Sequence, residues 1–236
     1  MKYLHFPMFT LVLWRRTPVN SVGFVLWNQC VICGHIGEKD ENALIRTLKA
    51  KSDKWLTRQD KDGDNPATVG VNPSITGYVT VRCDLRSGKV RVNPVDWQLQ
   101  PECHHLVHAI GDYFIGRRFD LSDIPIHLGK CTEFVRTVLE RCREVPYGST
   151  VTYRQLAIDL GRPKAARALA QALAHNPIPI IVPCHRVIGS DGSLRGFSAP
   201  GGIETKQKLI TMETVFLASA SDLVGPDRLE VSIPGA

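Results

Sequence analysis

The sequence predicts an α+β protein: a mixed amino-terminal part with a small β-sheet, followed by a helical carboxy-terminal part. Three observations carry this. Short β-like runs dominate the first half, apolar residues fall three and four apart from Thr132 onward, and a tight Gly161-Arg162-Pro163 turn separates two short helices. A chain of 236 residues with 43% hydrophobic composition can build a packed core, so a disordered protein is excluded.

In order along the chain, Tyr3 to Trp14 is apolar but holds His5 and Pro7 and leads into Arg15-Arg16 without a small-residue cleavage site. It reads as an early strand or ordered arm, not a secretion leader. Strands are predicted at Ser21 to Trp27, Tyr78 to Asp84 and Lys89 to Asn93, the last two joined as a hairpin across Leu85-Arg86-Ser87-Gly88. Helical spacing covers Glu41 to Ala50 and Leu106 to Phe114, and the polar stretch from Lys51 to Asn72 reads as loose.

Beyond Thr132, the residues Phe134, Val135, Val138, Leu139 and Cys142 define one helix face, which Pro146-Tyr147-Gly148 ends. A second helix starts at Thr152, whose hydroxyl can cap while Gln155 reaches back, and closes at Gly161. A third runs from Lys164 to Ala174 and stops at Asn176-Pro177. This is a helix-turn-helix, whose second helix can enter a DNA groove. Ala165, Ala166, Ala168, Ala170, Ala172 and Ala174 surround Arg167 on it, small enough for close approach to a duplex and equally suited to tight helix packing.

The run Pro177 to Pro183 reads as a buried extended segment delivering Cys184-His185-Arg186. Cysteine attacks as the thiolate, and a neighbouring imidazole can take its proton. Adjacent strand residues face opposite ways, so direct contact between Cys184 and His185 is not expected. A net charge of +6 favours anionic partners, seven cysteines fit a reducing, intracellular setting, and no apolar stretch approaches the roughly 20 residues that cross a bilayer.

From about Thr132 to Glu213 the chain resembles the O6-alkylguanine-DNA alkyltransferases, through Pro183-Cys184-His185-Arg186-Val187-Ile188-Gly189, the preceding Asn176-Pro177, and Pro163-Lys164-Ala165-Ala166-Arg167-Ala168. The resemblance implies that Cys184 accepts the alkyl group in one irreversible turnover, that His185 acts through a water as its base, and that Glu213 orients and charges that histidine. Independently, Glu213 lies three and four positions from Ile210 and Leu209 on a helix from Ile203, beside an apolar stripe. A relay of this kind should bring the thiol pKa below its ordinary value.

The resemblance further makes Asn176 the asparagine that holds the active-site turn and Arg167 the side chain that fills the stack when the damaged nucleotide flips out. Ala165 and Ala166 belong to the same DNA-facing helix. Tyr153 would contact phosphate, Val182 would hold the base edge through its backbone, Phe197 would form an aromatic wall, and Ser198 would meet the O6 oxygen. The loop Ser198 to Gly202 is one residue longer than in some relatives.

The organisation this implies is a variable amino-terminal α+β domain over residues 1–125 with a polar insertion near 51–72, a DNA-binding and catalytic domain over 130–215, and a tail over 216–236. In the first domain the likeness rests chiefly on Gly111 to Phe119. Some relatives hold zinc there, and Cys30, Cys33 and His35, or Cys103, His104, His105 and His108, could contribute ligands. Nothing in the spacing pairs the two segments, so no metal and no cofactor are expected. The expected partner is double-stranded DNA containing O6-alkylguanine, bound by a monomer, in the nucleus of a eukaryote or the cytoplasm of a prokaryote. A non-enzymatic lesion binder of the alkyltransferase-like type is the main alternative, and Cys184 argues against it. A helix-turn-helix regulator would need base-reading side chains where this helix carries alanine, and a thiol hydrolase would turn over repeatedly.

Overall fold

The computed structural model describes residues 9–17, 19–27, 30–57, 75–84, 89–92, 103–117, 120–129 and 131–223. Its first half is a five-stranded sheet in the order β3-β2-β1-β4-β5, from β1 (Phe9–Thr17), β2 (Asn20–Trp27), β3 (Cys30–Glu38), β4 (Ile75–Asp84) and β5 (Lys89–Val92). Neighbours run antiparallel except β1 and β4, which are parallel. Between β1 and β2 the Thr17 hydroxyl donates to the Asn20 carbonyl at 2.6 Å, and Asn20 takes a φ of 69°, which asparagine tolerates better than most residues. Of the early strand or ordered arm expected here, the structure shows strand from Phe9; Tyr3 to Met8 lie outside the described residues.

β3 is absent from the sequence expectation because it does not alternate. Val31 and Ile36 face the main core while Ile32 and Cys33 face the opposite side, where α1 (Glu41–Thr57) packs Leu44, Leu48 and Trp55 against them. A strand buried on both faces loses the period-two signal. Asp40 starts α1 by accepting from the Ala43 backbone N–H at 3.0 Å. The helix runs on to Thr57, so the predicted loose stretch is helical over its first seven residues, 51–57. Trp55 and Ser52 anchor that extra length by burial. Residues 58–74 lie outside the described residues.

The helix α2 (His104–Phe114) buries Leu106, Val107, Ile110, Tyr113 and Phe114. The connection that follows is tied to the sheet: Val31 donates to Pro125 at 2.9 Å, and His127 donates to Val31 at 2.9 Å. One hydrophobic core then continues from the sheet through α2 into α3 (Glu133–Arg143) and the later helices.

The second half holds α4 (Tyr153–Asp159), α5 (Ala166–Ala174) and α6 (Gly202–Leu223), with a two-stranded parallel pair of β6 (Val151–Thr152) and β7 (Val187–Ile188). Thr152 caps α4 by accepting from Gln155 N at 3.0 Å, but the Gln155 amide bonds Asp159 at 2.8 Å, so only half of the expected capping box forms. Gly161, at φ 68°, closes the turn as expected. The helix expected from Lys164 begins at Ala166, because residues 163–165 form a turn in which Ala165 donates to Arg162 at 2.8 Å. Among the described residues no helix is long and apolar enough to cross a membrane.

Candidate active site

The run before Cys184 is a knot of turns, not the extended segment expected. Ile180 is left-handed at φ 75°, an uncommon state for a β-branched residue, and Val182 donates back to Ile178 at 2.9 Å. Such strain persists where surroundings over-determine it. Asn176 supplies much of that determination. Its Oδ1 accepts from Ile178 N at 3.0 Å, and its Nδ2 donates to Val182 O at 2.8 Å and to Cys184 Sγ at 3.2 Å. Prolines at 177, 179 and 183 remove backbone donors, so a compact turn leaves fewer of them unsatisfied than its length suggests.

Cys184, His185 and Arg186 form one 3-10 turn, so the side chains fan out instead of alternating. His185 is fully buried and its Nε2 meets Glu213 Oε1 at 2.8 Å. Glu213 is 1% exposed, and α6 continues ten residues past it. Its carboxylate also accepts from Arg186 Nε and Nη2, both at 2.9 Å, Tyr113 Oη at 2.6 Å and Gly148 N at 3.2 Å. Burial alone would raise this carboxyl, but His185 and Arg186 together outweigh it and hold it well below the usual range.

His185 is shifted down, chiefly by burial, against the pull of Glu213. The imidazole is therefore neutral near pH 7. With Nε2–H donated to Glu213, the other nitrogen carries the lone pair, and Nδ1 has no protein hydrogen-bond partner. That is the arrangement of a base ready to take a proton.

The thiol corrects one expectation. Burial pushes Cys184 up, and the Asn176 amide and the Lys206 ammonium only partly offset it. The resting group is a protonated thiol, because desolvation of the anion exceeds what these partners return. Proton removal has to accompany the reaction.

Four residues here escaped the sequence reading as participants. Tyr113 comes from α2, Gly148 from the turn after α3, and Arg186 braces the site through a 2.6 Å bond to Val145 O. Lys206 is fully buried, donates to Val187 O at 2.6 Å, and lies 5.8 Å from the Tyr153 ring. Lys206 and Glu213 sit two turns apart on the buried face of α6, with Leu209 between them. Charges on an apolar stripe were the available signal.

A cavity of about 720 Å³ opens in front of Cys184. Ala166, Ala170 and Ala174, four apart on α5, form one wall; Tyr153, Phe197 and Ser198 form others, and Arg167 stands at the lip. Tyr153 Oη donates to Arg195 O at 3.3 Å. Val182 is buried, and its carbonyl already accepts from Asn176. Ala165 sits at the start of α5. Among the described residues no three His, Cys, Asp or Glu side chains are grouped as a metal site requires.

The model of the 6-O-methylguanine DNA methyltransferase DNA-binding domain matches residues 133–215. The methylated-DNA–protein-cysteine methyltransferase of Methanosarcina barkeri is 39% identical over 134 residues, which span 55% of this chain and 81% of that protein. This chain belongs to the methylated-DNA–protein-cysteine methyltransferase family. The Mycobacterium tuberculosis family member is 36% identical over 144 residues, 59% of this chain and 84% of its own length. A crystal structure of M. tuberculosis OGT in complex with DNA superposes with a TM-score of 0.56 at 25% identity, covering 88% of this chain and 94% of that one. That likeness extends the family's fold into the amino-terminal sheet, beyond the matched DNA-binding domain.

Proposed function

We propose that this protein repairs DNA by moving an alkyl group from O6 of guanine onto Cys184 Sγ, once per chain. The observation that carries the reading is the junction at Cys184: a thiol at the floor of a cavity large enough to admit a flipped base, walled by the small face of α5, beside a neutral buried imidazole held by Glu213. As the sulfur lone pair forms the S–C bond, the thiol proton passes to His185 Nδ1, directly or through one water. The C–O6 bond breaks with its electrons going to guanine, which takes up a proton from water at N1 and remains in the strand as the ordinary neutral base. Glu213 stabilises the imidazolium formed. A thioether does not hydrolyse, so nothing regenerates the thiol. The lesion-binder alternative lacks support because the acceptor thiol is present and seated.

Residues 130–215 carry the chemistry in this reading, and the partner is double-stranded DNA bearing O6-alkylguanine, engaged by a monomer. Cys30, Cys33, Cys103, Cys131, Cys142 and Cys184 carry free thiols, which suits a reducing compartment that holds DNA, the nucleus or the prokaryotic cytoplasm. Incubation with duplex DNA labelled in the O6-methyl group should leave label covalently on the protein, at no more than one per chain, and peptide mapping should place it on Cys184. Repeated turnover would overturn the reading.

O6 lies within the base stack, so the nucleotide must flip before a buried thiol reaches it. Arg167, exposed at the cavity lip, is proposed to occupy the space left behind, with Ala165 and Ala166 letting α5 approach the groove and Tyr153 meeting the backbone phosphate. Ser198 and the Val182 backbone would hold the base edge, with Phe197 as its wall. Flipping costs a few kcal/mol, so Arg167→Ala is expected to slow repair of duplex at least about tenfold while reaction with free O6-alkylguanine changes little. Equal losses on both substrates would assign Arg167 to the fold instead.

A further inference from the structure

A second cavity, of about 560 Å³, lies behind Cys184 between β3, α1 and the active-site turn. It meets the base cavity along Ala174, Cys184, Phe197 and Ser198, which line both. It lies where the two apolar clusters meet, Ile36 and Leu139 lining it from the main core and Ile32 from the α1 side, but one end is built differently. There Lys51 Nζ donates to Gly34 O at 2.8 Å and to His35 Nδ1 at 3.3 Å, and His35 Nε2 donates to Glu38 Oε1 at 3.2 Å. This chain of bonds defines the His35 tautomer and uses two of the three N–H bonds of Lys51.

In-line displacement places Sγ, the reacting carbon and O6 on one axis. A methyl group has only hydrogens off that axis. Any longer group must send its remaining atoms sideways, and the second cavity opens beside the reacting sulfur, because Cys184 lines both. Accepting the reading of Cys184 as alkyl acceptor, we propose that the rear cavity receives the transferred group and that Lys51 makes it favour O6-alkyl chains ending in a carboxylate. The chain body lies against the apolar wall and the carboxylate takes the third N–H of Lys51. Sγ bonds to the first carbon, the C–O6 pair leaves with guanine, and the carboxylate remains a spectator.

Two electrostatic features fit this assignment. Burial pushes the Cys33 thiol, on the same wall, up to about 12, so it does not neutralise Lys51. Burial also lowers Lys51 itself, so an arriving carboxylate recovers part of a desolvation cost already present.

The test measures single-turnover rates on duplexes carrying O6-methylguanine, O6-(3-carboxypropyl)guanine, or the uncharged isostere O6-(3-carbamoylpropyl)guanine. The full chain should transfer the acid faster than the amide by about tenfold, the worth of one charge-assisted hydrogen bond. That ratio should collapse to near unity in Lys51→Met and persist in Lys51→Arg. Equal acid and amide rates in the unaltered protein, or a preference that Lys51→Met leaves intact, would overturn the assignment. Should Lys51→Met fail to fold, Lys51→Gln, which keeps a hydrogen-bond donor and loses the charge, takes its place, and an acid preference that survives in it would overturn the assignment. Failure to accept even methyl would instead overturn the alkyltransferase reading.

Discussion

Cys184→Ser is expected to take alkyl transfer from one group per chain to none, while alkylated duplex is still bound and the melting temperature hardly moves. The turn that presents residue 184 is built by Asn176, the prolines and the left-handed Ile180, not by sulfur. A serine oxygen fits the same place and can accept from Asn176 Nδ2. It cannot perform the displacement, because a hydroxyl is far less acidic and less nucleophilic than a thiol, and His185 is a weak base shifted down by burial. Binding rests on the cavity walls and α5, which the substitution leaves alone. Gel-shift affinity, calorimetric melting and label transfer measured together check this, and label reaching any other cysteine would contradict it.

Glu213→Gln should damage both fold and chemistry. The carboxylate takes donors from Tyr113, Gly148, His185 and Arg186, and a glutamine amide would turn N–H groups toward some of them. Arg186 would be left as a buried cation without its partner, a change that typically costs about 3–5 kcal/mol. For a chain of this size the melting temperature should fall on the order of 10 °C near pH 7. The pH dependence has a defined sign. The folded carboxyl titrates below its ordinary value of 4.5, so its contribution is complete above that pH and is lost as pH falls toward the folded value. The gap in melting temperature between the two proteins should therefore close on acidification below about 4.5.

The chemical consequence is separable at a temperature where the variant is folded. Without the carboxylate, His185 becomes a still weaker base and its cation is no longer stabilised, so transfer near pH 7 should slow. Alkaline pH should restore part of the rate, since hydroxide can then supply the thiolate. An unchanged pH profile in a folded Glu213→Gln protein would remove Glu213 from the mechanism and leave it a purely structural group.

The sequence by itself determined what local patterning can encode. The three-and-four spacing of Val138, Leu139 and Cys142, the Thr152 cap and Gly161 marked the helices around the turn, and each was found within two residues of its expected place. Adjacent residues also announced the chemistry: Pro-Cys-His-Arg, an Asn-Pro before it, and an arginine among alanines. What failed locally failed for physical reasons. β3 is buried on both faces and shows no alternation, α1 outlasts its apolar period because Ser52 and Trp55 are buried by tertiary contact, and Pro177 to Pro183 is bent by a left-handed isoleucine that no propensity would suggest.

Only the tertiary structure decided the electrostatics. Glu213 is 28 residues from His185 and 100 from Tyr113, yet one carboxylate organises both. The spacing of Glu213 beside an apolar stripe hinted that it faces inward, but its four partners come from elements whose packing no single-sequence period records. The thiol's acidity is the clearest case. A cysteine beside a histidine suggests a lowered pKa, whereas burial of the folded site raises it, because the cost of removing a thiolate from water depends on everything packed around it. For the same reason Lys51, on α1 and remote in sequence from Cys184, becomes part of the active-site surroundings only once β3 and α1 close the cavity behind the thiol.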